Sequence, residues 1–383
     1  MDFTLNDEHR MFQRAVRDFV DNELKPYAAE IDESQALRWE AIHKMPPLGL
    51  TGLHVPETYG GAELDALSGA IALEETARGC VGTGLSIEAH NMLCCAPIVR
   101  WGTAEQKAKY LPRLTSGEVL GALALTEPGT GSDLASARTR AAKDGNEWVI
   151  NGNKMWITNA DSAPVIVTLA RTNPNADKPS QAFSMILVET NTPGLTIEPP
   201  ISKMGVRGSH AHPITYDNVR VPLDNLLGEE GRGLHQTLQT LDGGRIGVGA
   251  LCIGVAQAAL DLAMVYVQQR ETFGEPLANH QAIQFKLADM ATLTEAARLM
   301  IYKAAWLMDQ GKPFTKQATM GKLLASEAAE LASWEALQIH GAYGYSTEFP
   351  IERIYRDQRM MSIGEGTSEV MRMVIARRLL AGE

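Results

Sequence analysis

The stretch GEGTSEVMR, Gly364 to Arg372, places one carboxylate, Glu365, between two residues that have no side chain. Two local readings compete. Ser362 followed by Glu365 matches a capping box, in which the glutamate reaches back to the helix N-cap N–H. Gly366 would then fall in the first helical turn, where glycine is a poor helix former. In the other reading Thr367 or Ser368 caps the last helix and Glu365 lies in the loop before it. There the glycines permit unusual backbone angles and a close approach of ligand to main chain.

Three further stretches have ligand-binding chemistry. LALTEPGTGSD, Leu123 to Asp133, combines hydroxyls at Thr126, Thr130 and Ser132 with Gly129 and Gly131. Freed backbone N–H groups and hydroxyls suit a phosphate or the polar edge of a flat heterocycle; an ordinary Pro-Gly turn is the competing reading. Leu134 stands where a GxGxxG fingerprint needs its last glycine, so a nicotinamide site is not supported. KMWITN, Lys154 to Asn159, puts Trp156 and Thr158 on one face of a strand, as an indole and a hydroxyl able to cover a planar ring, or as ordinary core residues. LDGGRIG, Leu241 to Gly247, offers Arg245 to a phosphate and Asp242 to an amide, or else Asp242 as the cap of a following helix. RETFG and HQAIQF hold Arg270 and Gln281 near helix ends, where a solvated role is the default. His210 and His212 have metal-like spacing, but no Cys, Asp or Glu cluster accompanies them in sequence, so no metal site is expected.

The elements that must position these groups are three. Residues 1–119 carry helical periodicity, beginning with Met11, Phe12, Val16, Phe19 and Val20 behind Asn6 or Thr4 as cap. Residues 120–232 read as a β domain, with EWVINGNKMWIT as a hairpin turning at Asn151-Gly152. Residues 233–383 are helical again, with segments at Gly247–Arg270, Gln281–Asp309, Lys316–His340 and Ser368–Leu380 that suggest a four-helix bundle. The α, then β, then α order differs from the alternation of a doubly wound nucleotide fold.

Composition narrows the function. The 383 residues are 45% hydrophobic and 21% charged, which describes a folded, water-soluble chain large enough for more than one domain. A net charge of −11 without a basic run argues against nucleic-acid or acidic-lipid partners. Asp2, Asp7, Glu8 and Arg10 interrupt any export signal, and the apolar stretch Ile246–Leu260 falls short of the ~20 residues that span a bilayer. Cys80, Cys94, Cys95 and Cys252 form no CxxC pair and are expected to be reduced, in a cytoplasmic or matrix-like compartment.

LALTEPGTGSD, KMWITN, LDGGRIG, RETFG, QIHGAYGY and IGEGTSEVMR, in this order and spacing, resemble the acyl-CoA dehydrogenase family from about residue 3 to residue 380, and in the C-terminal half the short- and medium-chain members most. The resemblance implies an N-terminal helical domain, a middle β-barrel-like domain and a C-terminal four-helix bundle, assembled as a homotetramer. It implies FAD between the β domain and the bundle, part of its site coming from a neighbouring subunit. Leu123, Leu125, Thr126, Gly131 and Ser132 would follow the flavin edge and pyrophosphate. Trp156, Ile157 and Thr158 would flank the isoalloxazine. Arg270, Thr272, Gln281, Gln338 and Gly341 would hold the adenosine half across the subunit contact, completed by Thr367 and Glu369. Ser132, Asp242, Arg245, Gly366 and Arg377 match positions that touch the CoA arm.

Glu365 matches the family's catalytic base, which removes the proton α to a thioester while hydride leaves the β carbon, giving a trans-2-enoyl-CoA. The resemblance further implies fatty-acid β-oxidation and electron-transfer flavoprotein as acceptor. It also implies that Gly364 and Gly366 leave the thioester room beside the main chain. Some members carry the base at the start of the bundle helix; here that position is Gly244. Two departures stand out. Gly364 replaces an aromatic residue common before the base, and Gly341-Ala342 replaces a Gly-Gly pair. The stretch GTGLSIEAHNML, expected at the pocket floor, has no arginine for a dicarboxylyl tail, so a simple saturated acyl chain is expected. An acyl-CoA oxidase and a flavin-containing nucleic-acid binder are the rival readings.

Overall fold

The computed structural model describes residues 4–382; Asp2, cited against an export signal, lies outside them. Helices α1 Asp7–Glu23, α2 Ala28–Ser34, α3 Trp39–Ile42, α4 Ala66–Gly79, α5 Val81–Glu88, α6 Ala96–Trp101 and α7 Ala104–Thr115 form the N-terminal part, with a π-helical turn, Ala89–Cys95, between α5 and α6. Asn6 caps α1, its side chain accepting the His9 N–H at 2.7 Å. Val16 and Val20 enter the core, whereas Met11 stays exposed.

Eight strands follow: β1 Ala122–Ala124, β2 Arg140–Asp144, β3 Glu147–Thr158, β4 Val165–Arg171, β5 Phe183–Glu189, β6 Leu195–Ile197, β7 Ala211–Pro222 and β8 Leu226–Leu227. They form one sheet in the order β6-β7-β3-β2-β4-β5-β8, with β1 running parallel to β4. One face of β4 and β5 packs with Cys94, Ile98, Leu111 and Leu114, and the other with Trp148, Ile150, Ile214 and Tyr216. Burial on both faces explains why β4 and β5 are nearly continuous apolar runs rather than alternating ones.

The hairpin expected at Asn151-Gly152 is not there. Strand β3 passes straight through it, with a register shift against β7 between Ile150 and Gly152. A Cβ at Gly152 would stand 2.7 Å from the Thr139 Cα, so glycine is required by a close approach at a bulge rather than by a turn. The chain reverses instead at Gly145-Asn146, with Gly145 at φ +60° and Asp144 paired to Glu147.

The C-terminal part consists of α8 Gly233–Gln269, a two-stranded hairpin of β9 Glu271–Thr272 and β10 Glu275–Pro276, α9 Gln281–Asp309, α10 Thr315–His340, α11 Ile351–Gln358 and α12 Ser368–Leu380. Helix α8 begins well before Gly247, so LDGGRIG lies inside it, Asp242 caps nothing, and the short α11 is additional to the four helices expected. Helices α8, α9 and α10 pack together and α4 packs on α8. Val20, Leu73 and Ala77 share one core with Leu251, Ile253, Ile301 and Ala329, so the two helical parts are joined by a common apolar interior. By length and composition α8 would suffice to cross a bilayer, contrary to the argument from Ile246–Leu260 alone. Its Leu251–Ala256 segment is nevertheless fully inside that core, and all four cysteines are buried and free.

Candidate active site

Helix α12 starts at Ser368 because Thr367 caps it, its hydroxyl accepting the Val370 N–H at 3.3 Å. Ser362 is engaged by Arg359 instead, which overturns the capping-box reading of Glu365. Glu365 thus lies in the loop, at φ +52°, followed by Gly366 at φ +106°. The first is a strained angle for a glutamate and the second is open essentially to glycine alone. The flanks are not vacant, however. A Cβ at Gly364 would meet the Met360 Sδ at 2.5 Å and one at Gly366 the Met371 Cε at 2.6 Å. The glycines therefore serve the turn and the packing of two methionines, rather than clearing those sides for ligand.

The turn delivers the Glu365 carboxyl to the surface of α8. Its Oε2 lies 2.0 Å from where a Cβ on Gly244 would stand. The residue as a whole is half-buried, but this oxygen is shielded from solvent and accepts from no main-chain N–H or cationic side chain. Glu88, at the end of α5, is fully buried with its carboxyl against that of Glu365, and neither of its oxygens has another partner. Burial pushes both acids above the usual carboxylate range, Glu88 well above because the Glu365 charge adds to its own loss of water. The hydrogen bond with Glu88, and after it the Lys322 and Arg245 charges, pull Glu365 the other way and offset only part of the burial.

Those two cations are themselves withdrawn from water. Lys322 is 0% exposed and donates to the Gly366 carbonyl at 2.9 Å, which holds the strained turn onto α10. Arg245 is 4% exposed and pairs with Asp242 at 2.7 Å, while the Thr315 hydroxyl donates to the other Asp242 oxygen, also at 2.7 Å. The Arg245 charge is thus committed to Asp242 and the Glu365 neighbourhood, not offered to solvent. Sequence reasoning missed Glu88 and Lys322. Lys322 carried a signal, since it interrupts the apolar stripe Ala318, Ala325, Ala329 of α10. Glu88 carried none beyond its apolar company.

The two β-domain motifs are stitched together. The Met155 N–H donates to the Thr126 carbonyl at 2.9 Å, and Lys154 Nζ donates to the Leu125 carbonyl at 2.9 Å and pairs with Glu127 at 3.0 Å. Trp156 sits at φ +64° with 55% of its surface exposed, next to a register shift between Lys154 and Ile157. Ile157 is buried and Thr158 half-buried, so the indole and hydroxyl share the outer side of β3. Gly131 and Ser132 are exposed on the neighbouring loop, whereas the side chains of Leu123 and Leu125 belong to the core. A large exposed ring in a strained conformation, beside a loop rich in hydroxyls and glycine, fits a planar heterocycle carrying phosphates. The π-helical turn packs on both β1 and α8, and its Leu93 reaches within 3.3 Å of the Gly244 Cβ position, so it links this surface to the Glu365 turn.

The other predicted residues are not brought to this place. Arg270, Thr272, Gln281, Gln338 and Gly341 gather at the far end of the bundle, where the Arg270 guanidinium lies 5.9 Å from the Tyr343 ring and Thr272 contacts His280. From Arg245 to the end of α8 is about 36 Å at 1.5 Å per residue. Thr367 and Glu369 stay with Glu365, and Arg377 is exposed near the other end of α12.

Family models for the N-terminal, middle and C-terminal domains of acyl-CoA dehydrogenase match residues 6–118, 122–219 and 231–380. The chain belongs to the acyl-CoA dehydrogenase family. The family is one of oxidoreductases that use FAD. The chain is 48% identical over 380 residues to a probable acyl-CoA dehydrogenase, YngJ, of Bacillus subtilis, covering 99% of this chain and 100% of that one. It is 46% identical over 376 residues to the mitochondrial short-chain specific acyl-CoA dehydrogenase of Bos taurus, covering 98% and 91%. The butyryl-CoA dehydrogenase structure from Megasphaera elsdenii superposes with a TM-score of 0.95 at 41% identity, covering 99% and 100%. These acyl-CoA dehydrogenase relatives share the three-part architecture, helical, sheet and helical, described above.

Proposed function

We propose that this acyl-CoA dehydrogenase oxidises a short, saturated, straight-chain acyl-CoA to the trans-2-enoyl-CoA, with Glu365 removing the α proton. The observation that carries the reading is the Glu365 carboxyl: shielded at Oε2, held over Gly244 by a strained turn, and neighboured by the buried Glu88 carboxyl rather than by a main-chain N–H or a cation. Burial raises the proton affinity of Glu365, while Lys322 and Arg245 keep the ionised form within reach. Among the described residues the Glu365 N–H donates to no protein acceptor, so it is free for the thioester oxygen, where negative charge develops. Burial beside Glu365 disfavours a second negative charge in the pocket, which argues against a carboxylated acyl tail. FAD, when bound, supplies the oxidising chemistry that accepts the β hydrogen. Trp156 and Thr158 would hold its ring, the Thr126–Ser132 loop its phosphates, and Thr367 and Glu369 a further part of it.

The separation of about 36 Å along α8 also supports the subunit arrangement. One chain cannot bring Arg270, Thr272, Gln281, Gln338 and Gly341 to the ligand that meets Glu365, so these would serve a neighbouring copy's cofactor. Phe273 (99% exposed), Tyr345 (88%) and Phe285 (60%) at the same end offer the apolar surface for such a contact, within a homotetramer. Electron-transfer flavoprotein would take the electrons, and the setting would be β-oxidation in a cytoplasmic or matrix compartment. The relatives' short-chain and butyryl-CoA names support the chain-length assignment.

The test is anaerobic mixing of the yellow holoenzyme with straight and branched acyl-CoAs while flavin absorbance is followed. Butyryl-CoA should bleach it quickly, and Glu365→Gln should lose nearly all bleaching while keeping FAD. An unchanged rate in that variant would remove Glu365 from its role. Peroxide production in air at the rate of turnover would identify an oxidase instead.

A further inference from the structure

His210 and His212 lack an acid in sequence, but the fold supplies one. Asp161, in the turn after β3, places Oδ2 at 2.7 Å from His210 Nδ1 and Oδ1 at 3.4 Å from His212 Nε2. The ligand atoms of the three residues all lie within 4.8 Å of one another. Each imidazole has its other nitrogen on a main-chain carbonyl: His210 Nε2 on Gln35 at 2.5 Å, His212 Nδ1 on Glu198 at 2.8 Å. A carbonyl only accepts, so those nitrogens carry the ring protons. At 2.7 Å His210 Nδ1 hydrogen-bonds the Asp161 carboxylate, which favours the charged His210 ring, so the one nitrogen left without a partner is His212 Nε2.

The decisive group is His212. Its side chain is 3% exposed, and its Nε2 is shielded from solvent and satisfies no hydrogen bond. An orphaned buried lone pair aimed at a carboxylate calls for an electrophile between them. Protonating His210 alone satisfies that ring between Asp161 and the Gln35 carbonyl but leaves His212 Nε2 unsatisfied, and protonating both rings would create two adjacent cations, one of them buried, with ring centroids 5.7 Å apart. A single divalent cation satisfies all three groups at once. Two imidazoles and a carboxylate, each imidazole oriented by a carbonyl behind it, are a donor set suited to zinc, and the exposed side of Asp161 leaves a fourth position for water.

We propose that Asp161, His210 and His212 form a binding site for a divalent transition-metal cation, Zn2+ by ligand type. The site would join three parts of the chain. Gln35 is the left-handed C-cap of α2, at φ +55°. Asp161 follows Asn159, whose amide donates to the Ser86 and Gly121 carbonyls, and His212 pairs with Ile157 in the β3–β7 ladder. Bound metal would clamp the N-terminal helices to the end of the strand that carries Trp156 and Thr158.

The test uses untagged holoenzyme, treated with chelator, desalted with FAD still bound, and titrated with Zn2+ alone by calorimetry. One Zn2+ per chain is expected, with a rise in melting temperature. His212→Gln and Asp161→Asn should each weaken binding by more than about 100-fold, beyond the loss typical of outer-shell changes. Co2+ added to the unaltered chain should give the visible bands of a four-coordinate nitrogen and oxygen site, at longer wavelength than the flavin, which tests the proposal without any variant. Absence of those bands, or Zn2+ binding unchanged in His212→Gln, overturns it.

Discussion

Glu127 and Glu365 are both carboxylates with oxygens withdrawn from water, and the protein handles them in opposite ways. Glu127 accepts the Arg138 N–H at 2.7 Å, the Thr139 N–H at 2.9 Å and Lys154 Nζ at 3.0 Å. Burial alone would raise its proton affinity, but Lys154 and these N–H donors outweigh it and hold Glu127 below the usual carboxylate range. Lys154 in turn is brought down by burial to about 8. Glu365 has only a second buried acid, Glu88, beside its carboxyl, sits at a strained backbone angle and is pushed up rather than down. An acid whose lone pairs are taken is part of the framework. One left unsatisfied at a strained turn is available to take a proton.

The contrast can be broken most forcefully at the framework end. Lys154→Met leaves Glu127 buried without its cation and should cost about 3–5 kcal/mol, seen as a lower melting temperature of the holoenzyme. Adding Glu127→Gln should recover part of the loss; no recovery would mean that the pair is not coupled as described. At the working end, Gly244→Ala inserts a Cβ 2.0 Å from the present Glu365 Oε2. Displacing the base by about 1 Å should slow flavin reduction about 100-fold with little change in melting temperature. A rate within twofold of the unaltered enzyme would show that the carboxyl acts from elsewhere.

A finer test uses pH. Glu365 must be ionised to accept a proton, so reduction should be fast above its raised pKa and fall as pH drops through it. A protonated Glu88 beside it favours the ionised form of Glu365, so Glu88→Ala should move the acid limb to higher pH, and Glu88→Gln, which keeps a neutral donor, less so. A limb that does not move would uncouple the two acids. Smallest of all is the cap. Thr367→Ala should cost about 1 kcal/mol and speed hydrogen exchange in the first turn of α12, leaving the Lys154–Glu127 region unaffected.

Much of this was legible in one dimension. The α, β, α order and the ends of α9 and α12 follow from periodicity, whereas glycine placement left Glu365 open between a capping box and a loop. The errors share a cause. Asn151-Gly152 offers the positive φ that a hairpin needs, but a bulge facing Thr139 uses the same freedom, and only the pairing of β3 with β7 distinguishes them. Gly243-Gly244 weakens a helix locally, so LDGGRIG reads as a helix start, yet α8 runs through it and the missing Cβ admits Glu365. Histidines two apart without an acid nearby in sequence give no ground to expect a metal site until the turn after β3 brings Asp161 to them.

The order of residues alone determined which side chains were present, the approximate reach of each helix, and a lone acid flanked by glycines, because these depend on neighbours a few positions apart. Only the folded arrangement decided that this acid would lie against α8 near the charges of Lys322 and Arg245, with the buried Glu88 pushed well above the usual carboxylate range beside it. Proton affinity is set by the loss of water and by charges within a few ångströms, and the groups responsible come from α5, α8 and α10.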